Sequence, residues 1–110
     1  MLKIYVYKKV LELVGKIYFL IRNNQELAKD FSLCDQLKRT AVSVVTNIAE
    51  GYFRRKRQSL YYLDTASGSC NEMISLLEIV DLVYQINTDN LQEEYKIFGK
   101  QINSFSKTFS

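Results

Sequence analysis

The sequence predicts an all-α protein, an antiparallel up-down-up-down four-helix bundle, and three observations carry that expectation. The 110 residues include no proline and only four glycines, so long irregular connections are scarce. Apolar residues recur at spacings of three and four through four long segments. No segment shows the two-residue alternation and turn chemistry of a hairpin. Helices joined by short connections pack antiparallel in chain order. With 47% hydrophobic residues, residues 1–110 suffice for one core and one domain.

The first helix is expected at about 4–23. Tyr7, Val10, Val14, Ile17 and Ile21 form its stripe, Val6, Leu13 and Leu20 widen it, and Leu11, Tyr18 and Phe19 carry it further around the cylinder. So broad an apolar arc has two readings: part of it packs against another subunit, or large aromatics sit half-exposed at the bundle edge. The polar stretch from Asn23 to Phe31 reads as a loop. Ser32, with Asp35 three positions on, resembles a capping box that opens a second helix at about 33–50. Its core stripe is Leu33, Leu37, Ala41, Val44 and Ile48, and its polar stripe is Arg39, Ser43, Asn47 and Glu50. Gly51 is placed to stop that helix in a left-handed conformation.

The third helix, at about 59–86, keeps a heptad-like seam of Leu63, Ala66, Cys70, Met73, Leu77, Val80 and Tyr84. Glycine in a helix interior costs about 1 kcal/mol relative to alanine, so Gly68 suggests a close approach by a neighbour. Thr88 and Asp89 cap the fourth helix, at about 89–108, whose seam is Leu91, Tyr95, Phe98, Ile102, Phe105 and Phe109.

Between the second and third helices stand Arg54, Arg55, Lys56 and Arg57. From Ser32 to Ser59 there are six basic residues against two acids, a local excess of +4 in a chain whose total is +3. A concentration of this kind has two readings, a footprint for an anionic partner or a merely solvated helix-turn surface. Lysine and arginine neutralise phosphates and release counterions, and flanking Tyr52, Phe53, Tyr61 and Tyr62 offer rings that either stack on bases or close the end of the core. The expected nucleic-acid-binding residues are Arg54, Arg55, Lys56 and Arg57, with Lys38 and Arg39 assisting.

Catalytic chemistry is poorly supplied. The chain has no histidine, hence no commonest general base or metal ligand, and it has no phosphate loop or dinucleotide fingerprint. If the second and third helices pair about a turn near Lys56, facing residues have numbers that sum to roughly 112. Glu72 then lies opposite Thr40 and beside Arg39, its expected partner. Glu50 lies near Tyr62, orients Arg54 or Arg55, and stands too far from Glu72 to act with it on one bond. Cys34 and Cys70 read as buried thiols of a reducing compartment. No cofactor or metal is expected. Neither a secretory leader nor a membrane span is expected either, since Glu12 and Lys16 interrupt the apolar run, and a cytoplasmic location follows.

The stretches QLKRTAVSVVTNIAEGYFRRKR and LDTASGSCNEM, with YKKVLELVGKIYFLIRN before them, resemble the bacterial four-helix bundle family of 23S rRNA intervening-sequence proteins. That family is itself similar to the accessory variability determinant of diversity-generating retroelements. The resemblance rests most on Gln36, Leu37 and Arg39, on Asn47 through Gly51, and on Ala66, Gly68, Ser69 and Glu72. It marks Asn47, Glu50, Gly51, Gly68 and Glu72 as structural motif positions. At Phe53 the family usually has glycine, and at Thr65 a larger apolar residue. The resemblance implies a left-handed bundle assembling as a homopentamer with a basic surface. It also implies nucleic acid, RNA above all, as a partner, with a reverse transcriptase as a second one, and no catalytic residue. The competing function is a protein-interaction adaptor that recruits such an enzyme.

Overall fold

The computed structural model describes residues 2–52 and 54–107, with the side chains of Leu2, Lys56, Phe105, Ser106 and Lys107 outside the described set. Five helices follow one another: α1 (Leu2–Arg22), α2 (Gln25–Ala28), α3 (Phe31–Tyr52), α4 (Lys56–Tyr84) and α5 (Asp89–Lys107). No strand occurs among the described residues, so the chain is all-helical. The molecule measures 44 × 21 × 21 Å, and a 29-residue α4 rising about 1.5 Å per residue accounts for the long axis.

Contacts between the long helices show how each neighbour runs. Lys3, at the start of α1, reaches the carbonyl of Tyr52 at the end of α3, at 3.4 Å. Thr40 meets Glu72 and Ser43 meets Ser69, each at 3.0 Å, so α3 and α4 are antiparallel in the register expected from the sequence. Gln92 reaches back to Asp81 at 3.3 Å, and Gly99 lies beside Cys70, which sets α5 antiparallel to α4.

The seam of α3 is buried as expected, from Leu33 through Ile48, and so is that of α4 from Leu63 to Val80. Tyr95, Phe98 and Ile102 fill the α5 side of the core; Phe109 and the Phe105 side chain lie outside the described residues. Both cysteines are buried and free. Three members of the expected α1 stripe, Val10, Ile17 and Ile21, are buried, and the other two are displaced by one position. Val6, Val10, Leu13, Ile17 and Ile21 face the core, whereas Tyr7 lies on the surface and Val14 is only half-buried. The broad arc expected for α1 left that choice open, and packing resolves it by burying the wholly aliphatic row and leaving the phenol near water.

The stretch expected as a loop contains the single turn α2. Its Leu27 is fully buried, and Cys34 donates to the Leu27 carbonyl at 3.0 Å. One buried leucine in four residues has no periodicity to announce it. The α3 cap is also different: the Asp30 carboxylate accepts the Leu33 amide at 3.1 Å, and the helix begins before Ser32. Asp30 further accepts the Tyr84 hydroxyl at 2.6 Å, a bond that lowers the Asp30 pKa and raises that of Tyr84 to about 12.

Gly51 does not stop α3. Helix continues to Tyr52, and no glycine among the described residues has positive φ. What Gly51 supplies is closeness: a Cβ there would stand 3.4 Å from Leu63 and from the Ser59 carbonyl. Left-handed geometry appears instead at Gln85, φ 52°, which ends α4 before Ile86. Thr88 caps the corner to α5 by donating its amide to Asp81 at 2.9 Å. Among the described residues no helix is long and apolar enough to cross a membrane.

Candidate nucleic-acid interface

The α3–α4 turn is built by its neighbours. Buried Ser59 donates its hydroxyl to the Gly51 carbonyl at 2.6 Å, clamping the first turn of α4 onto the last turn of α3. Arg55 is extended at φ −65°, ψ 158°, and its carbonyl accepts the Ser59 amide at 2.7 Å. The connection is therefore short, and it lies at one end of the long axis of the molecule.

Its residues are not equivalent. Arg54 donates through Nε to Glu50 at 3.1 Å, with a second, closer contact from its Nη2, and its guanidinium lies over the Tyr62 ring at 5.6 Å. Hydrogen bonding to Glu50 raises the Arg54 pKa. Glu50 thus orients Arg54, one of the two partners expected. Arg55 and Arg57 are exposed. Lys56 opens α4, and its side chain lies outside the described residues, as does all of Phe53.

Lys38 and Arg39 are not brought to this turn. Arg39 lies thirteen residues before the end of α3 at Tyr52, about 20 Å at the usual rise. Lys38 instead lies over the Tyr18 ring at 5.3 Å. Arg39 pairs with Asp35 at 3.5 Å rather than with Glu72, because the shorter Thr40 side chain faces Glu72 directly and donates to it. Asn47 donates to the Ser43 carbonyl at 2.8 Å and to its hydroxyl at 3.2 Å. With Ser69 these residues make a polar seam between α3 and α4, beside a hollow of about 260 Å³ lined by Gln36, Arg39, Thr40, Ser43 and Glu72. Gly68, next to that seam, has no described atom within 4 Å of an added Cβ, so the close approach expected there does not come from the described residues.

The sequence model of a family described as 23S rRNA-intervening sequence protein matches residues 3–107. The chain belongs to that family. A crystal structure from Bacteroides thetaiotaomicron, described as a protein with unknown function from the S23 ribosomal protein family, superposes with a TM-score of 0.87. The two are 22% identical, over 97% of this chain and 99% of that one, a likeness that establishes the fold. No curated protein matches.

In this member of the 23S rRNA-intervening sequence protein family, folding adds residues to the turn that the linear sequence keeps far away. The start of α1 lies against the end of α3, so Lys3, over the Tyr52 ring at 5.7 Å, and Lys8 join the same pole. Residues 2–8, 50–64 and 101–107 hold seven basic side chains against two acids, while the rest of the chain holds eight against ten. The up-down arrangement expected from the sequence was the available signal, since it would return the N-terminus to the turn between the middle helices. Next to this pole, α1 and α3 frame a groove of about 780 Å³ lined by Ile4, Tyr7, Leu11, Ala49 and Tyr52, with Lys3 and Lys8 at its rim. Among the described residues no group of three or more metal-binding side chains gathers.

Proposed function

We propose that this protein is a non-enzymatic, oligomeric scaffold of the cytoplasm that binds nucleic acid, RNA above all, through its basic pole. The reading takes its four long helices as a left-handed, antiparallel up-down-up-down bundle. The observation that carries it is the gathering of Lys3, Lys8, Arg54, Arg55, Lys56 and Arg57 at one end of a molecule whose remainder is acidic in balance. Phosphate neutralisation of this kind is steeply salt-dependent, and repetition of the pole around an assembly multiplies weak contacts.

The test is fluorescence anisotropy with a structured RNA at about 50 mM and about 200 mM salt. Affinity should fall steeply between the two. It should be lost when Arg54, Arg55, Lys56 and Arg57 are all replaced by alanine; an affinity indifferent to both changes refutes the reading. Self-association, with the pentamer that the family resemblance implies, is supported by the exposed Ile4, Tyr7 and Leu11 along the α1–α3 groove. Leu11→Asp should lower the mass seen by light scattering, and a wild-type protein that is monomeric at micromolar concentration removes this part. The same apolar groove favours a second reading, an adaptor recruiting an enzyme such as a reverse transcriptase. A protein partner that survives nuclease treatment in a pull-down, and is lost with Leu11→Asp, supports it.

A further inference from the structure

Two adjacent tyrosines open α4, and packing treats them differently. Tyr62 is half-buried and covered by the Arg54 guanidinium, which Glu50 holds in place. Tyr61 is 67% exposed, and its ring meets Tyr62 edge-on, with centroids 5.2 Å apart and planes at 78°. Glu50, Arg54, Tyr62 and Tyr61 therefore form a supported row at the edge of the basic pole. Arg57 precedes Tyr61 by four residues, which puts both on one face of α4, and it is exposed.

A row of this composition recognises something other than charge. Phosphate contacts position a nucleic acid but give no preference for unpaired strands. Stacking does distinguish them, because base faces are covered inside a helix and open in loops, bulges and ends. An exposed ring held next to arginines is the side-chain arrangement that single-strand binders use.

We propose that the basic pole selects unpaired nucleotides: Tyr61 stacks on one base, Arg55 and Arg57 grip the flanking phosphates, and Arg54 is a positioning residue that fixes Tyr62 behind Tyr61. This rests on the nucleic-acid reading given above and names the substrate class for that site.

The experiment titrates the full chain, by anisotropy at one salt concentration, with a labelled uridine strand of about ten nucleotides, within a usual site size, and with an RNA duplex of equal length. The duplex carries more phosphates, so charge alone favours it. Wild type should nevertheless bind the single strand more tightly. Tyr61→Leu should weaken single-strand binding by roughly tenfold and leave duplex binding unchanged, Tyr61→Trp should keep it, and Arg57→Ala should weaken both. Arg54→Ala should lower single-strand affinity more in wild type than in a Tyr61→Leu background, a coupling beyond its charge loss, which is the same in both. Circular dichroism checks that each variant is folded. Equal or tighter duplex binding, or a Tyr61→Leu effect of the same size on both RNAs, overturns the inference and leaves the basic pole as a general phosphate site. Failure to bind either RNA removes the nucleic-acid reading and this one with it.

Discussion

Lys3 and Lys8 decide whether the proposed binding surface is a four-residue stretch or a face assembled by folding. Both are exposed and lie far from Arg54 in sequence. On a single strand each phosphate contact contributes about 0.7 to the slope of log K against log salt. Replacing both lysines with alanine should therefore reduce that slope by about 1.4. At about 0.1 M salt the same figure corresponds to roughly fivefold in affinity for each lysine, or about 25-fold together.

A charge-matched control uses Lys29 and Lys96, which sit away from the pole beside Glu26 at 3.8 Å and Glu93 at 4.0 Å. Its slope should stay that of wild type. Lys3 also donates to the Tyr52 carbonyl, so stability needs a separate reading. A net hydrogen bond is worth about 1 kcal/mol. Unfolding entropy of about 2.1 cal/mol/K per residue makes that about 4 °C of Tm for a chain of this length. Anisotropy titrations at several salt concentrations, with Tm recorded for every variant, measure both. Equal losses in the two double variants, or an unchanged slope in Lys3→Ala/Lys8→Ala, refute the assembled pole.

Other expectations test the fold beneath the site. Gly68→Ala should raise Tm by about 4 °C, because the new methyl meets nothing within 4 Å and helix propensity improves by about 1 kcal/mol; a lower Tm in the monomer contradicts the open position. Leu37 is fully buried, so Leu37→Ala should cost 2–5 kcal/mol in a denaturant titration, and a loss under about 1 kcal/mol argues against this core. Burial disfavours the charged form of Glu94, but hydrogen bonds from Lys16 and Lys9 outweigh it and hold its pKa below the ordinary 4.5. Its contribution is then complete above the ordinary carboxylate range and disappears as pH falls through the lowered value. Glu94→Gln should flatten that part of the acid limb by at most about 1 kcal/mol, and identical acid limbs in both proteins count against the pairing.

What could be read before folding was whatever repeats locally. The α3 stripe from Leu33 to Ile48 and the α4 seam from Leu63 to Val80 follow from 3.6-residue periodicity, and each is buried. Glu50 and Arg54 stand only four residues apart in the chain, so their pairing is local. Even the opposition of Thr40 and Glu72 follows from equal rise in two helices about a short turn. Local reasoning failed where a residue's role depends on an approach from elsewhere. Gly51 looked like a helix stop because glycine tolerates positive φ, yet its use here is to admit Leu63 and Ser59. Asp30 caps α3 and binds Tyr84 at the end of α4, a pairing that no nearby residue signals.

The sequence by itself determined that the chain is helical, where its principal seams lie and that it carries a concentrated basic run. Tertiary structure alone decided which charges lie together, separating Lys38 and Arg39 from the turn while bringing Lys3 and Lys8 to it. The reason is physical. Periodicity is a property of neighbours along one axis, whereas an electrostatic surface sums over every charge within a Debye length in space, whatever its place in the chain.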